Sequence, residues 1–335
     1  MKKYLLPQDG TFYKANLHCH STISDGDWTP EEIKTKYMQK GYSIIAYTDH
    51  NVFVPQNNLT DEYFLALNGL EYNVDEDPLL PKNKKTCHFC FIALSPDTII
   101  QPCWHREKYH NTGLERRSSH LVIFDKSKPD YERTYDAECI SNMMNIGRSN
   151  GFFVTYNHPV WSEEGYSQYI YYNGMHAMEI CNYCSVAAGY DDHNSKEYDE
   201  MLRAGKHIYC VATDDNHNHN GDNDSFGGFT MIKAINLNYT SVTDALIKGQ
   251  FYASEGPLIH ELWYEDGKVH ITFDPAKEVR ITKGIRGATN RIAKDGSPLT
   301  KACFDIAADD IYFRITVKNS DGKCAYTNAY FVDEL

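Results

Sequence analysis

Two histidines two residues apart open the part of the sequence that is richest in chemically useful side chains. The stretch NLHCHSTISDG, residues 16–26, contains His18, His20 and Asp25. In a strand, residues two apart share a face, so His18 and His20 point together while Cys19 points the other way. The stretch is compatible with a metal site, but also with an ordinary strand that runs into a Ser-Asp-Gly turn.

Similar groups stand at the ends of four later apolar runs. These runs include YSIIAYTDH, GFFVTYNHP and HIYCVATDDNHNH. A lone histidine in a strand is usually structural, but recurrence at five successive strand ends is poorly explained by chance. Six imidazoles and three carboxylates exceed the needs of one ion and suit two or three Zn, Mn or Fe ions better than Ca or Mg. The candidate ligands are His18, His20, Asp25, His50, Glu71, His88, His158, Asp215 and His217.

The elements that must position these groups alternate between strand and helix over the first 257 residues. Thr29 and Glu32 form a predicted capping box around Pro30, and the helix is expected to end at Gly41. The next apolar run predicts a buried strand, which completes a β-α-β unit. This α/β pattern predicts a parallel barrel or doubly wound sheet, whose carboxyl strand ends are where active sites assemble.

Three segments depart from this alternation. Residues 75–85 predict a polar loop, and residues 95–133 predict a long excursion of the kind that often covers or lines a site. From residue 258 the pattern changes to strands with tight turns. We therefore predict two domains, residues 1–257 and a small β-sandwich of residues 258–335.

Composition excludes some classes of partner. Lys and Arg number 33 against 46 Asp and Glu, a formal charge of −13, so binding to membranes or non-specifically to nucleic acid is not expected. The first residues lack a signal-peptide pattern, which predicts a cytoplasmic protein with ten reduced cysteines. The C-x-x-C pairs Cys87/Cys90 and Cys181/Cys184 are not expected to share a zinc ion, because residues three apart in a strand face opposite ways.

Taken in order, the motifs resemble those of the polymerase and histidinol phosphatase (PHP) superfamily of metal-dependent phosphoesterases. The resemblance covers roughly residues 15–255, and the region around residues 249–257 is similar to the branch with an added C-terminal β domain. It implies a distorted (β/α)7 barrel with a trinuclear site. The matching motifs are H-x-H-S-x-x-S-D-G at His18–Gly26, T-D-H at Thr48–His50, G-x-E at Gly69–Glu71, N-H-P at Asn157–Pro159 and D-x-H at Asp215–His217.

The same resemblance implies a ligand set for each ion. Glu71 would bridge the first ion, held also by His18, His20 and Asp215, to a second ion held by His88 and His158. Asp25, His50 and His217 would hold the third. Two points remain open: Asp214 is an alternative to Asp215, and His88 follows Glu71 by seventeen residues, a wider gap than the family leads us to expect.

Adjacent divalent cations give a metal-bridging hydroxide at neutral pH, and they neutralise the oxygens of a phosphate ester under attack. The expected substrate is therefore a small phosphorylated metabolite, such as a nucleotide or sugar phosphate. His193 is the candidate proton donor to the leaving group. Candidate contacts to the phosphate are Arg106, Arg116, Arg117 and Lys206.

Two other functions are compatible with these residues. The same site could hydrolyse carboxylic or carbamate esters, as some relatives of the two-domain branch resemble carbamate hydrolases. Alternatively, the barrel could be a non-catalytic, metal-stabilised binding module, although a full ligand set argues against a degenerate site.

Overall fold

Helices and strands alternate through residue 254, and strands dominate the rest of the chain. The computed structural model describes residues 2–76, 85–109, 113–221, 223–294 and 296–335. Its helices are α1 (Pro30–Gln39), α2 (Gly113–Ser118), α3 (Ala137–Ser149), α4 (Tyr166–Tyr169), α5 (Tyr183–Ala187), α6 (Ser195–Arg203) and α7 (Tyr239–Ile247).

The strands of the first part are β1 (Lys3–Tyr4), β2 (Thr11–Asn16), β3 (Ile44–Tyr47), β4 (Leu65–Asp75), β5 (Thr86–Ala93), β6 (Phe152–Tyr156), β7 (Ala177–Asn182), β8 (Tyr209–Thr213), β9 (Phe229–Ala234) and β10 (Phe251–Ser254). Those of the second part are β11 (Ile259–Glu265), β12 (Lys268–Ala276), β13 (Glu278–Lys283), β14 (Thr289–Ile292), β15 (Leu299–Asp305), β16 (Tyr312–Lys318), β17 (Cys324–Thr327) and β18 (Tyr330–Phe331).

Seven strands, β2 to β8 in chain order, form the barrel. Strands β2, β3 and β4 are mutually parallel, as are β6, β7 and β8. The ring closes just beyond the last strand, where His20 N–H donates to the Asn216 carbonyl at 3.2 Å and Asp215 N–H donates to the His18 carbonyl at 2.9 Å. The predicted seven-stranded α/β barrel is thus confirmed.

Strand β5 runs against its two neighbours. It pairs antiparallel with β4, with Glu71 opposite Cys90 and Asn73 opposite His88, and antiparallel with β6. Only ten residues connect β4 to β5, and a parallel return requires a crossover of about a dozen residues or more. His88 therefore lies near the amino end of its strand, yet at the same rim of the barrel as the carboxyl ends of the other strands. The expectation of a carboxyl-end position was wrong for this residue.

Helix α1 has the predicted termini. The Thr29 hydroxyl accepts a hydrogen bond from Glu32 N–H at 3.2 Å, and the Glu32 carboxylate accepts one from Thr29 N–H at 2.9 Å. Pro30 occupies the first turn, and Gly41 follows the helix with a φ of +78°. The buried Ile33 and Tyr37 fix the helix against the barrel and leave the preceding loop, which carries Asp25, at the rim.

The second part of the chain is a sandwich of two antiparallel sheets. One sheet has the order β1-β11-β12-β15, and the other contains β14, β13, β16, β17 and β18. Apolar side chains of both sheets share one core, among them Leu262, Ile271, Ile281 and Ile315. This confirms the predicted sandwich-like β fold.

The predicted domains, residues 1–257 and 258–335, share strand pairings and a buried ion pair. Strand β1 pairs with β11, and β10 pairs with β17, so the barrel sheet continues into the sandwich. Across the same junction, Arg314 forms a bidentate ion pair with Asp199 of α6, at 2.8 Å from Nε and 2.8 Å from Nη2. Both side chains are almost fully buried. Among the described residues, no helix is long and apolar enough to cross a membrane.

Candidate metal centre

The nine predicted ligands come together at one rim of the barrel. Each has a nitrogen or carboxylate oxygen within 3.7 Å of another member of the set. Parallel strands bring their carboxyl ends to this rim, and the reversed β5 adds His88 from its amino end. The rim is therefore a single cluster of imidazoles and carboxylates.

The tightest group contains His18, His20, Glu71 and Asp215. The two Nε2 atoms of His18 and His20 lie 3.0 Å apart, and Asp215 Oδ1 lies 3.1 Å and 2.9 Å from them. Glu71 Oε1 lies 3.2 Å from His18 Nε2. Ligands bonded at about 2.0–2.2 Å to one ion are separated by about 3.0–3.4 Å, so this spacing is that of a coordination shell.

Glu71 connects this group to the others. Its Oε1 lies 3.2 Å from His88 Nδ1 and 3.2 Å from His158 Nε2, while its Oε2 lies 3.1 Å from His50 Nδ1. The carboxylate is fully buried. A carboxylate with imidazoles at both oxygens has the geometry of a bridging ligand.

A looser group surrounds Asp25. His20, His50 and His217 each place a ring nitrogen 3.7 Å from one of its oxygens. His20 thus borders two groups through its two nitrogens, Nε2 towards Asp215 and Nδ1 towards Asp25.

Four buried polar atoms of this cluster have no hydrogen-bond partner among the described residues. A buried polar atom without a partner costs roughly 1–3 kcal/mol, and several at one point call for a ligand that satisfies them together. Divalent cations fit, because every atom concerned is a metal-ligand type on an imidazole or carboxylate. The atoms are His20 Nδ1, Glu71 Oε2, His88 Nδ1 and Asp215 Oδ1.

Ionisation within the cluster is strongly perturbed. Burial and the neighbouring His20 lower the pKa of His50 to about 3. Burial opposes the charged form of His158, but a hydrogen bond to Glu71 and the charge of Asp215 raise its pKa to about 9. Burial likewise opposes ionisation of Asp25, yet His50 and His20 lower its pKa to about 2. The pKa values of neighbouring groups are thus shifted in opposite directions, which is characteristic of functional sites.

Two of the predicted ligands have a positive φ angle, a backbone conformation that residues other than glycine rarely adopt. Asp215 has a φ of +54° and His158 a φ of +24°. Each is the second residue after a barrel strand. Backbone strain of this kind persists only where the surrounding structure enforces it, typically at active sites.

The structure separates the roles of Asp214 and Asp215. The Asp214 carboxylate accepts hydrogen bonds from the backbone N–H groups of Phe226, Gly227 and Gly228 at 2.8–2.9 Å, and from the Tyr37 hydroxyl at 2.8 Å. Asp214 therefore supports the loop before β9, while Asp215 faces the imidazoles.

Glu179 belongs to the site and was not predicted. Its carboxylate lies 2.7 Å from His18 Nδ1 and accepts hydrogen bonds from the Thr213 hydroxyl at 2.6 Å and from His158 N–H at 3.0 Å. A proton on His18 Nδ1 leaves the Nε2 lone pair facing Asp215 and His20. The available signal was a carboxylate inside the apolar run AMEICN of β7, a run that the sequence analysis did not consider.

Asp49, in the middle of the T-D-H motif, is a second supporting carboxylate. It accepts hydrogen bonds from the backbone and side chains of Ser21 and Ser24 at 2.8–3.1 Å. These bonds hold the loop between His20 and Asp25, so the spacing of the first motif is maintained by the second.

A cavity of about 180 Å³ opens onto the cluster. Trp161 forms one wall, with its ring edge-to-face to His88 and His158 at centroid distances of 5.3 and 5.0 Å. Cys184 and Ser185 contribute to another wall. The described lining residues include no lysine or arginine and none of the excursion at residues 95–133, which was expected to cover or line the site.

The predicted substrate and acid residues lie elsewhere. Arg106 is held by Asp130 at 2.7 Å and by two backbone carbonyls within the excursion. Arg116 and Arg117 are exposed on α2, outside the cavity lining. Lys206 precedes β8, at the opposite end of that strand from Asp215, and donates to the Tyr172 carbonyl at 2.6 Å. None of these four side chains lines the cavity, and their contacts to a substrate phosphate remain predictions.

His193 is likewise outside the cavity lining. Its Nε2 lies 3.0 Å from Glu255 Oε1, and its Nδ1 lies 3.5 Å from Asp191. The geometry does not support its predicted role as proton donor to the leaving group.

No family model and no curated protein matches the chain. Solved structures do. Over 98% of both chains, it is similar to a two-domain protein from Bacteroides vulgatus that contains a predicted PHP-like metal-dependent phosphoesterase, with 14% identity and a TM-score of 0.42. It is also similar to an amidohydrolase from Chromobacterium violaceum, with 15% identity, a TM-score of 0.40, and coverage of 62% of this chain and 89% of that chain.

Proposed function

We propose that this protein is a metal-dependent phosphoesterase that acts on a small phosphorylated metabolite, with two or three Zn, Mn or Fe ions at the barrel rim. The observation that carries the proposal is the convergence of nine ligand-type side chains, four of them with unsatisfied buried atoms, beside a cavity. Such convergence is the arrangement of a multinuclear metallohydrolase rather than of a single structural ion.

The residues of the site are of two kinds, those that would bind the ions and those that orient these ligands. His18, His20 and Asp215 would hold one ion, His88 and His158 a second, and Asp25, His50 and His217 a third, with Glu71 shared between them. When bound, divalent cations supply an activated water at neutral pH and offset negative charge on a phosphoryl group. Glu179 orients the imidazole of His18, and Asp49 fixes the loop that precedes Asp25.

The cavity lining includes three carboxylates, Asp25, Glu71 and Asp215, so it would accept a phosphate ester only when divalent cations offset their charge. Without lysine or arginine among the described lining residues, a phosphate has cations as its counter-charge. The volume of about 180 Å³ accommodates a phosphoryl group and a short leaving group, and the Trp161 ring offers an apolar surface to the latter.

The test is hydrolysis of three chromogenic esters, p-nitrophenyl phosphate, bis-p-nitrophenyl phosphate and p-nitrophenyl acetate, side by side with metal-loaded protein. We expect turnover of at least one phosphate ester well above that of the acetate. Turnover of the acetate alone would instead support the alternative, a hydrolase of carboxylic or carbamate esters. Turnover of none of the three by protein with a full metal content would support a non-catalytic binding module.

Matched variants link that turnover to the cluster. We expect Asp215→Asn to lose at least one bound ion and to reduce turnover about 100-fold or more, because it removes a ligand shared with His18 and His20. Asp214→Asn should keep its metal content, since its carboxylate is bound by backbone amides. Metal analysis and initial rates measure both effects, and the opposite pattern would contradict the assignment of Asp215.

A further inference from the structure

A second group of metal-ligand side chains lies at the junction between the barrel and the sandwich. Its members are Cys181 at the end of β7, His193 in the segment between α5 and α6, and Glu255 just after β10. One potential ligand atom from each lies within 4.8 Å of the other two. This group shares no residue with the nine-residue cluster.

Hydrogen bonds and backbone pairing preorganise the group. Residues 181 and 193 form an isolated antiparallel bridge, which fixes the distance between their side chains. His193 Nε2 lies 3.0 Å from Glu255 Oε1, and the Tyr326 hydroxyl donates to the other oxygen of Glu255 at 3.2 Å. Glu255 is thus oriented by a strand of the sandwich while it faces two residues of the barrel.

Burial differs among the three ligands in a way that suits a partly open site. Cys181 is fully buried, the Glu255 side chain is 12% exposed and the His193 side chain 34% exposed. Burial and Glu255 raise the pKa of the Cys181 thiol, so a cation is required to stabilise the thiolate. Binding would release the thiol proton to solvent, which reaches the group through His193.

We propose that Cys181, His193 and Glu255 form a separate zinc site on the barrel, at its contact with the sandwich. A thiolate, an imidazole and a carboxylate are the ligands that zinc takes in proteins, and three of them leave a fourth tetrahedral position for solvent. All three ligands precede residue 258, but Glu255 also accepts the hydrogen bond from Tyr326 of β17, so an ion bound to Glu255 would stabilise this contact between the barrel and the sandwich.

The neighbouring cysteine does not share this site. Cys184 lines the cavity of the nine-residue cluster instead. The C-x-x-C pair is divided between two places because β7 ends at Asn182 and Cys184 already belongs to α5. The proposed site therefore does not depend on the phosphoesterase proposal, and it is tested without an activity assay.

Cobalt substitution distinguishes the two places by their ligands. Thiolate bound to Co²⁺ gives a charge-transfer absorption in the near ultraviolet, whereas imidazole and carboxylate do not. We expect this absorption when Co²⁺ is added to the full-length, metal-stripped protein, and we expect its loss in Cys181→Ser. His158→Ala, which alters the nine-residue cluster, should retain it.

Two further variants keep the test decisive. Cys90 is the control, because its sulfur lies beside the nine-residue cluster, 3.1 Å from Asn157 Nδ2. Cys90→Ala should retain the absorption. If Cys181→Ser fails to fold, the more exposed His193→Ala serves instead, with Co²⁺ binding at this site weakened more than tenfold. Absence of the absorption in wild-type protein at saturating Co²⁺, or its loss only in Cys90→Ala, would overturn the proposal.

Discussion

At the scale of single residues, the candidate site consists of ligands and of the groups that orient them. Glu179 contacts His18 Nδ1, the Thr213 hydroxyl and the backbone of His158, so it affects two of the proposed ion positions at once. Groups that orient a metal-bound imidazole typically influence metal affinity about 10- to 100-fold.

We therefore expect Glu179→Gln to weaken metal binding by about that factor while the protein remains folded, because the amide is a poorer partner for the His18 N–H. Competition with a chelating dye measures the affinity. Glu138→Gln, an exposed change on α3, is the matched control and should leave it unaltered. Equal affinities for both variants would show that Glu179 does not orient His18.

The ligands themselves were readable from sequence because each is a histidine or carboxylate at the end of an apolar run, in motifs that resemble one family. Glu179 was not, since a single carboxylate inside an apolar strand belongs to none of those motifs. The phosphate contacts predicted for Arg106 and Lys206 rest on charge alone, because a sequence shows a positive side chain but not the carboxylate or carbonyl that already binds it.

At the scale of elements, the start of β7 contains a pH-sensitive contact. His176 Nδ1 accepts a hydrogen bond from Val154 N–H at 3.0 Å, which requires the neutral ring, and the ring stacks on Phe153. Burial and the nearby Arg148 lower its pKa to about 4. The folded pKa is below the ordinary value of 6.5, so this contact is fully stabilising above pH 6.5.

As the pH falls from 6.5 to about 4, the unfolded chain binds the proton first and that stabilisation is lost. The glutamine of His176→Gln can still accept the hydrogen bond from Val154 N–H, but it does not bind a proton. Between pH 6.5 and 4 we therefore expect the free energy of unfolding to fall by about 2 kcal/mol less in this variant than in wild type. Urea denaturation at several pH values measures the difference. His260→Gln, on the exposed face of β11, should follow the wild-type curve; parallel curves for all three proteins would refute the role of His176.

Sequence patterns gave the alternation of strand and helix and the cap of α1, because periodicity and capping are local. The direction of β5 is not local. It follows from the short connection and from pairing with both β4 and β6, and the apolar run CHFCFIAL has no feature that distinguishes the two directions.

At the scale of the whole molecule, the Arg314–Asp199 ion pair joins the sandwich to α6 of the barrel. Removing one partner of a buried pair leaves the other charge uncompensated, which typically costs about 3–5 kcal/mol. We expect Arg314→Ala to lower the free energy of unfolding by about this amount, and Arg314→Met combined with Asp199→Leu to lower it less.

Lys268→Ala is the control for this prediction, because Lys268 pairs with Asp305 at the surface, where solvent screens the two charges and such pairs contribute little to stability. Chemical denaturation monitored by fluorescence gives all four values. A loss for Arg314→Ala no larger than that for Lys268→Ala would mean that the pair does not hold the two parts together.

Because β5 pairs antiparallel with β4, the positions of the ligands on these strands do not depend on the length of the segment that connects the two strands. Because β4 and β5 pair directly, with Asn73 opposite His88, the position of His88 relative to Glu71 is set by strand register and not by the number of residues that separate them in sequence. We expect insertions or deletions between residues 76 and 85 to leave both ligands in place, as long as the pairing of β4 with β5 is kept. The length of this connection can therefore vary while the register that places His88 beside Glu71 stays constant.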